Sequence, residues 1–256
     1  MTIETLLLSA VMAAAAGLVG CFAVMRRMAL AADALSHVAL PGIGVALALH
    51  IHPVFGAAAM LFFGGLLVWA LEERSRLATE TIIGVIFSTA LAVGSVITSG
   101  EDLIEALFGG TSGTPSWTEI AFGFVAAAGV TLFMLRRKQA LVVAMVSPDI
   151  ALTVGIDVRR LNLLYIQMFA LTVALGLRYL GVLLMGSLII IPAATAKRLS
   201  RNLNQMLTLA AGIAVAVTLL GSAIAISSHR STGPLIVMIA AAAFALTFLR
   251  RETGRS

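Results

Sequence analysis

Charge is what this chain has least of. Only 11% of its 256 residues are Asp, Glu, Lys or Arg, while 60% are hydrophobic, and the mean hydropathy is +1.06. Soluble domains carry about 25% charged residues. With charge so scarce, and with apolar runs near the length of about 20 residues that crosses a bilayer as a helix, the sequence reads as an integral membrane protein. Long hydrophilic segments are missing too, so residues 1–256 read as a single transmembrane domain with no room for a separate soluble one. The one cysteine, Cys21, excludes an internal disulfide and any cysteine-rich metal site. Within an apolar run it reads as a small packed hydrophobe. The pI of 10.3 is no sign of nucleic-acid binding, because the basic residues are scattered between apolar runs rather than gathered on one patch.

Catalytic signatures are also absent. The only lysines, Lys138 and Lys197, follow Arg137 and Ala196, whereas a Walker A loop needs Gly-Lys-Ser/Thr. No ATPase site is therefore present. Neither H-E-x-x-H nor G-x-S-x-G occurs. Ser36 and His37 are adjacent, so on a helix they point about 100° apart and do not form a nucleophile–base pair. The chain does not read as an enzyme.

What is there is a succession of apolar segments, at about 6–25, 28–49, 53–71, 81–99, 118–135, 161–177, 179–196, 205–226 and 234–249. They predict an all-α polytopic fold of about nine transmembrane helices. Eight is the alternative, because only Arg178 and Tyr179 separate the sixth from the seventh. The first run has Glu4 before it and Arg26 and Arg27 after it, the wrong polarity for a cleaved signal peptide, so it reads as a retained helix. Nine spans put the termini on opposite sides. An outside N-terminus and cytosolic C-terminus place every Lys and Arg except Arg178 and Arg230 on the cytosolic side, as the positive-inside rule requires.

Two connections are long. The outer one, "SGEDLIEALFGGTSGTPSWTE", carries Glu101, Asp102, Glu105 and Glu119 and no basic residue. These acids would draw cations to the mouth, or the loop is simply a contact surface. The inner one contains "SPDIALTVG". Ser147 suits an N-cap, Pro148 the first helical position, Asp149 the first turn and Gly155 the left-handed C′ stop. Together they predict a short cytosolic helix, either a bare linker or a docking element.

One segment stands apart. In "ALAADALSHVALPGIGVAL", Asp33 and His37 sit four residues apart inside an apolar span, which places them on one helical face. Ionisable groups within a span mark functional sites by default. Carboxylate oxygen plus imidazole nitrogen suits zinc, manganese or iron. The spacing alone leaves three readings open: metal contact, a proton relay, or a hydrogen-bonded pair that pins two helices. Pro41 in the same span and Pro192 in "GSLIIIPAATAKR" each free a backbone carbonyl and bend their helices.

"MRRMALAADALSHVALPGIGVAL" resembles the membrane permeases of the zinc, manganese and iron ABC importers, the ABC-3 family. The resemblance continues in order through "TETIIGVIFSTALAVG", "LFGG", "SPDIALTVGID", "YLGVLLMGSLIIIPAATAKRL" and "STGPLIVM", over most of the chain. It implies a multi-pass permease of the cytoplasmic (inner) membrane, embedded in lipid as a homodimer. Two cytosolic ATP-binding subunits would use ATP on its behalf, and an external metal-binding protein would supply zinc, manganese or iron as cargo, with no permanently bound cofactor. By position, Asp33 and His37 match the family's intramembrane metal pair, and Glu80 matches an acid opening the fourth span. Ser147, Pro148, Asp149, Ile150, Ala151, Leu152 and Gly155 match the helix that docks into the ATPase. Where zinc permeases can carry a histidine in the fourth span this chain has Ser88, so the resemblance selects no single metal. A proton-coupled secondary carrier, or an ABC permease for a metal chelate or vitamin, are the alternative functions.

Overall fold

The computed structural model describes residues 3–28, 31–75, 77–97, 116–179, 182–228 and 232–249. Ten helices run through them in order: α1 (Ile3–Met25), α2 (Ala31–Ala48), α3 (Pro53–Arg74), α4 (Thr79–Ile97), α5 (Trp117–Val146), α6 (Pro148–Thr153), α7 (Val158–Tyr179), α8 (Val182–Leu199), α9 (Leu203–Ser228) and α10 (Thr232–Leu249). No strand occurs among the described residues. A lipid phase offers no hydrogen-bond partners, so a spanning chain must satisfy its backbone within helices. Nine of these ten correspond to the nine apolar segments and the tenth to the short inner helix.

Counted over the described residues, seven of the nine have the length and apolar composition of a membrane span. The other two, α2 and α8, have 18 residues each and are mostly buried by neighbouring helices. In α8, Leu184, Met185, Leu188, Ile189, Ala193 and Ala196 are all buried. A helix surrounded by other helices is free to carry proline, polar groups or terminal charge that lipid would penalise.

Boundaries differ from the sequence expectation in two places. Arg178 and Tyr179 do not separate two helices but end α7, since neither residue breaks a helix. α5 does not stop at Leu135: it runs for 30 residues to Val146. Arg136, Arg137 and Lys138 mark where the apolar segment ends, not where the helix ends, because straight-chain basic residues are good helix formers. At about 1.5 Å per residue, the last third of α5 extends about 15 Å past Arg136 and carries α6 at its tip.

α1 is the hub. It packs against α5, α7, α8 and α9, and Met12, Ala13, Ala16, Val19, Cys21 and Phe22 are all buried. The Cys21 thiol lies 3.7 Å from the Met206 carbonyl oxygen of α9, in keeping with its reading as a packed small residue. Close approach depends on glycine, as is usual between membrane helices. A Cβ on Gly20 would run into the Ile189 carbonyl of α8, and one on Gly17 would lie 2.7 Å from the Ala210 carbonyl of α9. Backbone cannot move aside as a side-chain tip can. Gly20→Val is therefore expected to lower the unfolding midpoint of the detergent-purified protein by about 5 °C or more, the scale of 1–3 kcal/mol of overpacking in a chain this size. Gly212→Val, at a position open to space, leaves it unchanged.

Candidate functional site

The chemistry-bearing residues lie at two levels. Within the bundle, α2 is held between α3 and α4. Gly42 and Gly56 bring the α2 and α3 backbones together, each lying against the other's carbonyl oxygen. On the other side, Gly94 of α4 leaves room for Leu40 and the Pro41 ring. Pro41 is thus a packed element inside α2 as well as a break in its hydrogen bonds.

This packing fixes His37. Its ring lies 5.5 Å from the Phe87 ring of α4, inclined at 60°. Its Nδ1 is buried and has no hydrogen-bond partner among the described residues. Leaving such a nitrogen unpaired costs on the order of 1–3 kcal/mol, and an orphan of this kind in a folded protein calls for an explanation such as an ion. Neighbouring Ser36 is fully buried. Asp33 lies on α2 one turn before His37, the register its spacing predicted, and its side chain is outside the described part of the structure. Glu80 is exposed in the first turn of α4, seven residues and so about 10 Å along the helix from Phe87. Among the described residues no three His, Cys, Asp or Glu side chains gather around one point. Phe87 as the partner of His37 carried no sequence signal.

At one end of the bundle stands α6. Ser147 closes α5 and opens α6, its hydroxyl accepting the Ile150 N–H at 3.3 Å, with Pro148 in the first turn. At the other end Gly155 has φ +78°. The Gly155 N–H donates to the Leu152 carbonyl at 3.1 Å and the Ile156 N–H to the Ala151 carbonyl at 2.9 Å, the paired bonds of a Schellman stop. The predicted caps are all in place. Ala151 is fully buried, whereas Ile150, Leu152 and Val154 are 57%, 61% and 64% exposed. This six-residue helix combines complete caps with an apolar outer face.

The outer acidic connection lies mostly outside the described residues, Glu101, Asp102 and Glu105 included. Glu119 is described, and it caps α5: its Oε2 accepts the Ser116 N–H at 2.8 Å while its own N–H donates to the Ser116 hydroxyl. Sequence reasoning had grouped it with the mouth acids and missed this capping box.

A polar cluster near α6 also went unread in the sequence. Arg26, just past α1, donates to Asn162 Oδ1 and stacks 4.6 Å from the centre of the Tyr165 ring, both on α7. The Asn162 amide donates to Glu72 Oε2 of α3 at 2.6 Å, and the Thr79 hydroxyl of α4 donates to Glu72 Oε1 at 2.5 Å. Alongside it, the Trp69 indole N–H donates to the Arg159 carbonyl and Arg159 pairs with Glu73. Four helix ends meet here through residues up to 136 positions apart.

Comparison with known proteins places this arrangement. The chain is 30% identical over 240 residues to the high-affinity zinc uptake system membrane protein ZnuB of Haemophilus influenzae, covering 91% of each chain. It is 30% identical to the manganese transport system membrane protein MntC of Halalkalibacterium halodurans, covering 91% of this chain and 81% of the other. It is 31% identical to the chelated iron transport system membrane protein YfeD of Yersinia pestis, covering 91% and 79%. Among solved structures, PsaBC from Streptococcus pneumoniae in complex with Fab superposes with a TM-score of 0.79 at 27% identity, covering 96% of this chain and 90% of that one. The profile of the ABC 3 transport family matches residues 1–251, and this chain, a multi-pass membrane protein, belongs to that family.

Proposed function

We propose that this chain is the membrane-spanning permease subunit of an ATP-driven importer of divalent transition-metal ions in the cytoplasmic (inner) membrane. The observation that carries the reading is the unpaired Nδ1 of His37, buried in a helix that also bears Asp33 one turn away. Neutral imidazole and carboxylate ligate zinc, manganese and iron alike, and relatives named for each of the three are similar at about the same identity. A permeating cation must leave as readily as it arrives, so coordination by few ligands suits a path better than a closed cage. Further ligands would come from water, Glu80 or a second copy of the chain in a homodimer.

With no Walker A loop in the sequence, energy must come from separate ATP-binding subunits, and the exposed apolar side chains of α6 offer their dock. Capture of metal falls to an external binding protein. The distribution of Lys and Arg supports an outside N-terminus and a cytosolic α6.

The test is reconstitution of the chain with its ATPase in liposomes, with Zn²⁺, Mn²⁺ and Fe²⁺ supplied separately. Uptake of at least one ion is expected to require both ATP and the ATPase subunit. Uptake driven by a proton gradient without the ATPase would instead make this a secondary carrier.

A further inference from the structure

The polar cluster beside α6 has a geometry that helix capping does not explain. Asn162 stands between a cation and a carboxylate, its carbonyl oxygen accepting from Arg26 and its amide donating to Glu72. Both oxygens of Glu72 are in use, one toward α7 through Asn162 and one toward α4 through Thr79. All three bonds are part-buried, where charge-assisted hydrogen bonds are strong and poorly replaced by water. The nearby Arg159–Glu73 pair is 65% and 32% exposed, and such surface pairs contribute little. Asn162 and Glu72 are therefore the main polar link between these helix ends.

The positions of the linked residues give the link its consequence. Only four residues separate α6 from α7, and Asn162 is the fifth residue of α7, so a displacement of α6 acts close to Asn162. α4 follows α3 after a four-residue connection and packs mainly against α2, and the Thr79–Glu72 bond fixes the start of α4 against the end of α3. Eight residues along α4 from Thr79 stands Phe87, against the His37 ring. The chain of contacts is contiguous from α6 to the intramembrane imidazole.

We propose that Asn162 and Glu72 form a clasp that makes α3 and α4 follow α7, so that movement imposed on α6 by the ATPase reaches Phe87 and His37. The inference rests on the permease reading and assigns Asn162, Glu72 and Thr79 as positioning residues for coupled transport.

The test uses the full complex in liposomes and reads ions transported per ATP hydrolysed, with whichever of Zn²⁺, Mn²⁺ or Fe²⁺ the parental complex carries. Asn162→Asp sets a carboxylate against Glu72 and breaks the clasp. It is expected to lower the ratio about tenfold, within the usual range for coupling between sites, while hydrolysis continues. Adding Glu72→Gln reverses donor and acceptor between the two positions and leaves Arg26 and Thr79 with acceptors. The doubly substituted chain is expected to recover the parental ratio to within about twofold. Thr79→Val, which removes one hydroxyl and keeps the shape, gives a smaller loss of about threefold and serves if Asn162→Asp does not assemble. A parental ratio in Asn162→Asp or Thr79→Val overturns the clasp. So does joint loss of hydrolysis and uptake in Asn162→Asp that Glu72→Gln fails to restore, because that pattern marks a purely structural contact. If the parental complex itself hydrolyses ATP without moving any of the three ions, the permease reading falls, and the clasp with it.

Discussion

Asp33→Asn is expected to reduce metal uptake by at least about a hundredfold while the permease still inserts and holds its ATPase. The substitution keeps size and hydrogen-bonding capacity and removes only the negative charge. A divalent ion within the apolar layer then loses its anionic partner. Leaving a buried charge without its partner costs about 3–5 kcal/mol, and that penalty in a barrier corresponds to two or more orders of magnitude in rate. His37→Phe is the matching test on the other side chain. It keeps a ring against Phe87, whose centre lies 5.5 Å from that of the imidazole, and deletes both nitrogens. Its uptake should fall as far, with thermal stability kept or raised, since the unpaired buried nitrogen is gone. His37→Ala loses the ring contact as well and separates the two contributions. Parental uptake of radiolabelled Zn²⁺ or Mn²⁺ by Asp33→Asn would show that the pair is a structural hydrogen bond.

The second large effect concerns α6. Ile150 and Leu152 expose most of their surface on a helix whose caps are complete. Apolar anchors of this kind dominate interfaces, with losses of about 2 kcal/mol or more on truncation or charge insertion, roughly thirtyfold in affinity. Leu152→Asp should therefore release the ATPase during purification while leaving membrane insertion intact. Gly155→Val acts differently. At φ +78° a β-branched residue is strongly disfavoured, since left-handed backbone costs about 1–2 kcal/mol even for ordinary side chains. The Schellman bonds should loosen, the ATPase should bind more weakly, and metal-linked hydrolysis should fall. Reversal of the exposed first-turn acid, Asp149→Lys, removes a favourable helix-end charge worth less than about 1 kcal/mol and should act in the same direction with a smaller effect. Copurification and turnover at parental levels in Leu152→Asp and Gly155→Val would reduce α6 to a linker.

The sequence by itself determined whatever depends on neighbours along the chain. α6 was legible to the residue, because Ser147, Pro148 and Gly155 specify its ends through bonds spanning three to five positions. The spans were legible because a bilayer demands uninterrupted apolar length, and the shared face of Asp33 and His37 because helical periodicity alone sets it. Only the tertiary structure decided which helices are enclosed. Lipid and protein interior are equally apolar, so α1, buried in the bundle, and α10, largely exposed, look alike in composition. The end of α5 was hidden for a related reason: charge reports where the apolar layer stops, while the helix continues to Val146. Phe87 against His37, and Asn162 between Arg26 and Glu72, join residues 50 to 136 positions apart. Nothing local marks such partners, because each is chosen by how the helices cross, and glycines such as Gly42 and Gly56 set those crossings by letting backbones touch.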